Sequence, residues 1–311
     1  MKHIVLMLTG LLLTGSTLSY AESNVNGTVI NQSTSIGTAN IAIGAGNKAN
    51  IGSVAIENSN VKGTVINQSN NIGAANIAIG SGNKANMGSL AIENSKVKGT
   101  VVNQSNSIGA ANIAIGSGNK ANMGSVGIGS SNVTGTVVNQ SNNIGAANIA
   151  IGSGNKANMG SVGIENSSVS GTVINNSNNI GAANIAIGSG NKANMGSVGI
   201  ENSNVKGAVI NQSNNIGAAN VAIGAGAKAN MGSVSIENSR VNGTIVNQSN
   251  NVGAANVAIG AGVEANMGSV AIEGTTVKGN IINQSNNVGS SNIAVGVFGL
   301  GNANMGSVIK K

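Results

Sequence analysis

The segment Gly-Thr-Val-Ile-Asn-Gln-Ser begins at Gly27 and returns, with small variations, at Gly63, Gly99, Gly135, Gly171, Gly207, Gly243 and Gly279, always after 36 residues. A strict internal period of this size marks a chain whose units bury their apolar surface only against neighbouring copies. It predicts an elongated scaffold rather than an enzyme built around one site. It also divides the chain into a leader, residues 1–21, and an array of eight repeats over residues 22–311.

Residues 61–96 serve as the type repeat. Val61, Thr64, Val65 and Ile66 lead into Asn67-Gln68-Ser69, and a polar stretch follows to Gly73. Ala75, Ile77 and Ile79 then alternate with Ala74, Asn76 and Ala78, the period of two that marks a strand. This alternation predicts that Val65 and Ile77 point inward. Gly80-Ser81-Gly82 breaks the run. Beyond it Ala85 and Met87 share one face and Lys84 and Asn86 the other, and Leu90 and Ile92 alternate with Ala91 and Glu93 before an Asn94-Ser95 turn. Nothing recurs at three and four, and each interior glycine would cost a helix about 1 kcal/mol. The expected fold is all-β, a β-solenoid of short strands with Gly and Asn corners. In such a coil the column from Val25 through Val61 and Val97 to Val277 forms an apolar ladder. The column from Asn31 through Asn67 to Asn283 forms an amide ladder, each side chain donating to the next.

Charge bears on the number of coils per repeat. Lys48, Lys84, Lys120, Lys156, Lys192 and Lys228 fill one column, and Glu57, Glu93, Glu165, Glu201, Glu237 and Glu273 another. One coil per repeat stacks like charges about 4.8 Å apart, a repulsion of roughly 1 kcal/mol in water and more near a protein surface. Two coils of about 18 residues double that spacing, where salt screens much of it. The charge columns therefore favour two coils per unit, with a boundary near Gly80. Glu264 interrupts the lysine column and is expected to relieve its neighbours.

The leader has a basic start in Lys2 and His3, an apolar run from Ile4 to Leu13, and Ser19-Tyr20-Ala21 before Glu22. This is the pattern of a secretory signal peptide cleaved after Ala21, and it predicts export through the periplasm to the cell surface or beyond. The apolar run falls short of the roughly 20 residues a membrane-spanning helix needs, and no later stretch is continuously apolar, so no transmembrane segment is expected. His3 and Tyr20 are the sole His and Tyr, both in the leader; Cys, Trp, Pro and Asp are absent, and Phe298 is the one remaining aromatic. Without residues 1–21, 14 Lys and Arg stand against 8 Glu, a net charge of +6.

That inventory excludes most chemistry. No disulfide can form, structural zinc lacks its Cys or His, and a nucleophilic Ser or Thr has no His or Asp to activate it. Gly44-Ala45-Gly46-Asn47-Lys48-Ala49 matches the dinucleotide fingerprint, but it recurs in later repeats with no helix predicted after it, so it reads as a turn. No catalytic, cofactor-binding or metal residue is expected, and the chain is read as a non-enzyme. Basic residues are spread along the repeats without clusters or stacking aromatics, which argues against specific nucleic-acid binding. Acidic surface polymers remain a partner that a net positive coil attracts.

The last repeat holds two extra residues between Ile293 and Met305 relative to Ile77 and Met87, around Val297-Phe298-Gly299-Leu300. A divergent terminal unit is expected to act as a cap or docking end.

The type repeat carries Gly-x-x-Asn-x-Ala twice, at Gly73-x-x-Asn76-x-Ala78 and at Gly80-x-x-Asn83-x-Ala85, with Gln68 upstream. This resembles the curlin-type repeat of bacterial functional amyloids, whose strand-turn-strand units stack into extracellular fibres. The resemblance touches all eight units. It implies a secreted structural subunit of fibres or biofilm matrix that assembles with itself by cross-β stacking, with a nucleator or anchoring surface protein as partner. A second segment, Asn220 to Ala229, is similar to the head repeats of trimeric autotransporter adhesins, left-handed parallel β-rolls. That implies an adhesin head, here without the family's coiled-coil stalk and barrel, hence anchored by another protein. A third reading, ice binding, rests on the column Thr28, Thr64, Thr100, Thr136, Thr172 and Thr244, which lacks a second Thr two residues on.

Overall fold

A computed structural model of the chain describes residues 18–21, 24–44, 46, 48–82, 84–296 and 301–310. Each repeat makes five strands; in the second they are Val65–Ile72, Ala75–Ile79, Lys84–Met87, Leu90–Glu93 and Lys96–Lys98. Every strand pairs in parallel with its counterpart in the next repeat, as Val65 does with Val101 and Ala75 with Ala111. The result is a parallel β-solenoid of five sheets, numbered I to V in the order of these strands. Sheets I, II, III and V have eight strands each. Sheet IV has nine, because Leu18–Ala21 pairs with Val54–Glu57 ahead of the first full turn. Among the described residues there is no helix, so none is long and apolar enough to cross a membrane.

One repeat makes one coil, not two. The expectation of two coils rests on like-charge repulsion, and Lys84 does stand beside Lys120 in neighbouring rungs. The repulsion is offset because the lysine column of sheet III runs beside the glutamate column of sheet IV. The Lys84 ammonium pairs with the Glu93 carboxylate of its own turn, and Glu93 also lies 3.9 Å from Lys120 of the next. Opposite charges thus interleave along the axis. Residues nine apart in sequence face each other around one corner, which column-by-column reading does not reveal.

That corner is Gly88, with φ of 57°. A side chain there would collide with the hydroxyls of Ser69 and Ser105 on sheet I, so glycine is required both for the left-handed backbone and for the close approach. The chain is pinched at this point, and the interior divides. On one side Val65, Leu90, Ile92 and Val97 stack into an aliphatic core that repeats in every turn. On the other Ala78 stacks with Ala85, and Ala74 with Met87.

The inward faces of sheets I, III, IV and V agree with the alternation in the sequence: Val61, Val65, Ala85, Met87, Leu90 and Ile92 are all fully buried. Sheet II is reversed. Asn76 and Ala78 point inward and are fully buried, whereas Ala75 and Ile77 are half-buried and Ile79 is exposed. The prediction that Ile77 faces the interior is therefore wrong. Asn76 takes the inward position because its side-chain amide bonds the strand opposite: Nδ2 donates to the carbonyls of Asn86 at 3.1 Å and Ala49 at 2.7 Å, and to Oδ1 of Asn112 at 2.9 Å. The alanine at the other inward position, Ala78, packs against Ala85 of the facing strand.

Candidate functional site

The chemistry of this molecule is distributed along its axis. In the aliphatic lobe the buried Asn67 donates through Nδ2 to Oδ1 of Asn103 at 2.8 Å, and the same bond repeats from Asn31 through to Asn283. A second ladder, Asn40 to Asn292 through Asn76, runs the same way. Two others run backwards: Asn106 donates to Asn70 at 3.0 Å, and Asn86 to Asn50 at 2.9 Å. Buried polar groups are costly unless bonded, and here stacking with an identical copy supplies the partner.

The directions matter at the two ends. In the first full turn Asn31 and Asn40 spend their NH2 groups on Asn67 and Asn76, which leaves their carbonyl oxygens facing outward along the axis. In the last turn Asn283 accepts from Asn247 and Asn292 from Asn256, so each has an NH2 with no further asparagine ahead of it. In these two columns the first turn is left with the acceptor side and the last with the donor side, and the two backward ladders run the other way. The end turns are also bare: sheet I is alternately half-buried and exposed in its last strand, Ile281–Val288, against fully and half-buried in the strands before it. Met305 and Val308 are 41% and 50% exposed.

The sequence predicts a cap in the terminal repeat. The segment around its two-residue insertion, Val297-Phe298-Gly299-Leu300, lies outside the described residues. Beyond it the strands resume parallel pairing with a step of 38 in place of 36, Val263 opposite Gly301 and Val270 opposite Val308. Asn304 still donates to Asn266 at 2.9 Å. The described part of this turn continues the array rather than closing it.

The ion pairs line the outer side of the Gly88 corner. Lys156 pairs with Glu165, Lys192 with Glu201, and Lys228 with Glu237 at 2.8 Å, each lysine reaching a second carboxylate one rung on. Glu264, which replaces lysine in its column, lies 3.7 Å from Lys228, the relief its position suggests. Burial pushes the carboxyl groups of Glu165 and Glu237 up, but their flanking lysines outweigh it and hold both below the usual range. Burial pushes the Lys228 ammonium down, and Glu237, Glu264 and Glu273 together hold it above its usual value.

The glycine pattern that imitates a dinucleotide fingerprint sits at the corner between sheets II and III. A strand, Lys84–Met87, follows it where nucleotide binding would need a helix. A side chain on Gly116 would strike the Gly80 carbonyl of the preceding turn. Asn119, fully buried, then donates to that carbonyl at 2.9 Å. The two Gly-x-x-Asn-x-Ala motifs, seven residues apart, thus mark successive corners of one coil, each with glycine at positive φ and alanine inward. Among the described residues no group of three His, Cys, Asp or Glu is placed to hold a metal ion. The feature that the alternation misassigned is the outer face of sheet II, a continuous aliphatic strip. No protein-family model, no curated protein and no solved structure matches this chain.

Proposed function

We propose that the chain is a secreted structural subunit that stacks head to tail into extracellular fibres. The observation that carries this reading is the complementarity of the two ends. Each asparagine ladder keeps one direction along the axis, so its end at the last turn matches its start at the first, forward in the Asn31 and Asn40 columns and backward in the Asn50 and Asn70 columns. A second copy placed head to tail continues these ladders, the apolar columns and all five parallel sheets. Placed head to head, a copy reverses the direction of every ladder. Open sheet edges are templates for further pairing, and the sequence has no proline to blunt them. An array with no cluster of chemical groups and the same side chains at every rung suits a structural material better than a catalyst.

The test is assembly of protein lacking residues 1–21. Electron microscopy should show unbranched filaments, and fibre diffraction should place the roughly 4.8 Å reflection along the fibre axis. Chains that remain monomeric for days at high concentration overturn the reading.

A further inference from the structure

Sheet II inverts the usual rule of burial in every turn. Its inward positions hold asparagine and alanine, while its outward positions hold Ala75, Ile77 and Ile79 and their equivalents. Ile115, Ile151 and Ile187 are each 37% exposed in the middle of the array, where no end effect applies. Across the eight strands the outward columns are aliphatic throughout, save Ser291. Scattered exposed isoleucines need no explanation, but a contiguous aliphatic strip marks a contact surface.

From this face we infer that two copies of the chain pair laterally, sheet II against sheet II, through an isologous interface. Three observations select a second copy as the occupant. The first is area. Five residues at about 3.3 Å by eight rungs at about 4.8 Å give a face on the order of 600 Å2. Two such faces bury about 1,200 Å2 together, which reaches the size of specific interfaces. The second is spacing. Another copy has the same rung separation, so the isoleucines of one face meet the gaps of the other along the whole length, as in a dry steric zipper. The third is charge. Sheet II carries no ionisable group on its outer columns, whereas sheet V displays exposed Lys62, Lys98, Lys206, Arg240 and Lys278. Two copies repel through sheet V and meet without repulsion through sheet II. A two-fold axis brings the same patch onto itself, which closes the contact at two copies.

This pairing does not depend on head-to-tail growth, and the experiment separates the two. Protein lacking residues 1–21 is compared with a variant carrying Ile149→Thr, Ile151→Thr, Ile185→Thr and Ile187→Thr. Threonine keeps the strand preference at these outward positions, and a second variant, Ile151→Lys with Ile187→Lys, checks the same face with charge. Where filaments form, scanning transmission microscopy reads mass per length. The expected result is two 36-residue repeats per rung spacing, or two chains per eight rungs, for the parent and a twofold fall in both variants, with filament length unchanged. Where no filaments form, sedimentation velocity should give a dimer for the parent and a monomer for the variants. A parent with one repeat per rung, a soluble parent that is monomeric, or variants that keep the doubled mass overturn the inference. Flotation with neutral phosphatidylcholine vesicles adds one further arm. Binding by a single-chain parent that the variants lose would assign the strip to lipid and sink the pairing.

Discussion

In the fourth repeat Asn143 donates to Asn179 at 2.9 Å and Glu165 pairs with Lys156; in the third, Ser107 and Gly129 stand in those same two columns. The backbone does not register the change, since both turns keep the 36-residue step and the same strand boundaries. The side chains do. Ser107 is too short to span the rung, so its own hydroxyl and the Asn143 carbonyl oxygen that would accept from this position are buried without partners, as is the Asn71 oxygen beside Ser35 one turn earlier. Lys120 has no carboxylate in its own turn, is 3.9 Å from Glu93 in the turn before, and is 35% exposed against 19% for Lys156. The left-handed residue at the next corner is Ser130, φ 48°, where the repeats before and after use Asn94 and Asn166. Backbone stacking therefore sets the fold, and the ladders set how firmly each rung is held.

Breaking the intact region should have the largest effect. Asn179→Ser in the fifth turn copies the defect of Ser107 into a run that now extends from Asn143 to Asn287. It removes two amide bonds and leaves buried groups unpaired, at a cost of about 1–3 kcal/mol. A repeat array need not unfold as one unit, so the readout is amide hydrogen exchange around residues 175–183. Protection there should fall toward the level seen around residues 103–111. Unchanged protection would mean that the ladder contributes nothing beyond the backbone sheets.

The converse change is smaller. Ser107→Asn completes the column from Asn71 to Asn143, gives the Asn143 oxygen a donor, and should add about 1 kcal/mol of local stability. The flanking turns already accommodate asparagine in this column, so the added volume has a fitted place. Hydrogen exchange in the third turn should slow, and the midpoint of urea unfolding should rise if that turn is the weak link. Faster exchange would show that the third turn is narrower than its neighbours.

Much of this is legible in the sequence. The columns of Val65, Asn67, Leu90 and Ile92 follow from period-two alternation, because β-branched and leucine residues leave no doubt about which face is apolar. Sheet II is not legible for the same reason turned round. Ala-Asn-Ile-Ala-Ile also alternates, and the larger apolar set suggests the inside. What decides it is the pair of backbone carbonyls of Ala49 and Asn86 that accept from the Asn76 amide, which does not appear in a local pattern. The coil number fails on a similar point. Like charges in one column look prohibitive until the corner at Gly88 brings the opposite column alongside. The complementary ends are half-visible: the asparagine columns announce ladders, but only the hydrogen-bond directions show that each column is polar along the axis.

The smallest effect expected concerns the charged corner, and it has a pH signature. Burial pushes the carboxyl groups of Glu165 and Glu237 up, yet their lysines hold both below the usual value of 4.5. A carboxyl whose pKa is depressed on folding stabilises the fold above its unfolded value, and that contribution disappears as the pH falls through the folded value. Acidification from pH 6 to about pH 3 should therefore loosen the corners of the fourth and sixth turns. The third turn has Gly129 and no carboxylate to protonate there, so its corner should respond less. Lys228, raised above 10.5, gives the mirror image: its contribution is present below that value and lost as the pH climbs through the folded one. Gly129→Glu with Ser130→Asn installs the missing carboxylate beside Lys120 and a residue better suited to positive φ. At neutral pH the gain should be below about 1 kcal/mol, since the pair is partly solvated. The sharper reading is the difference between conditions: hydrogen exchange at residues 128–132 should slow in the variant at pH 6 and lose most of that gain near pH 3. A gain that persists in acid would assign the effect to the Ser130→Asn change alone, and the ion pairs would then be spectators that merely permit one coil per repeat.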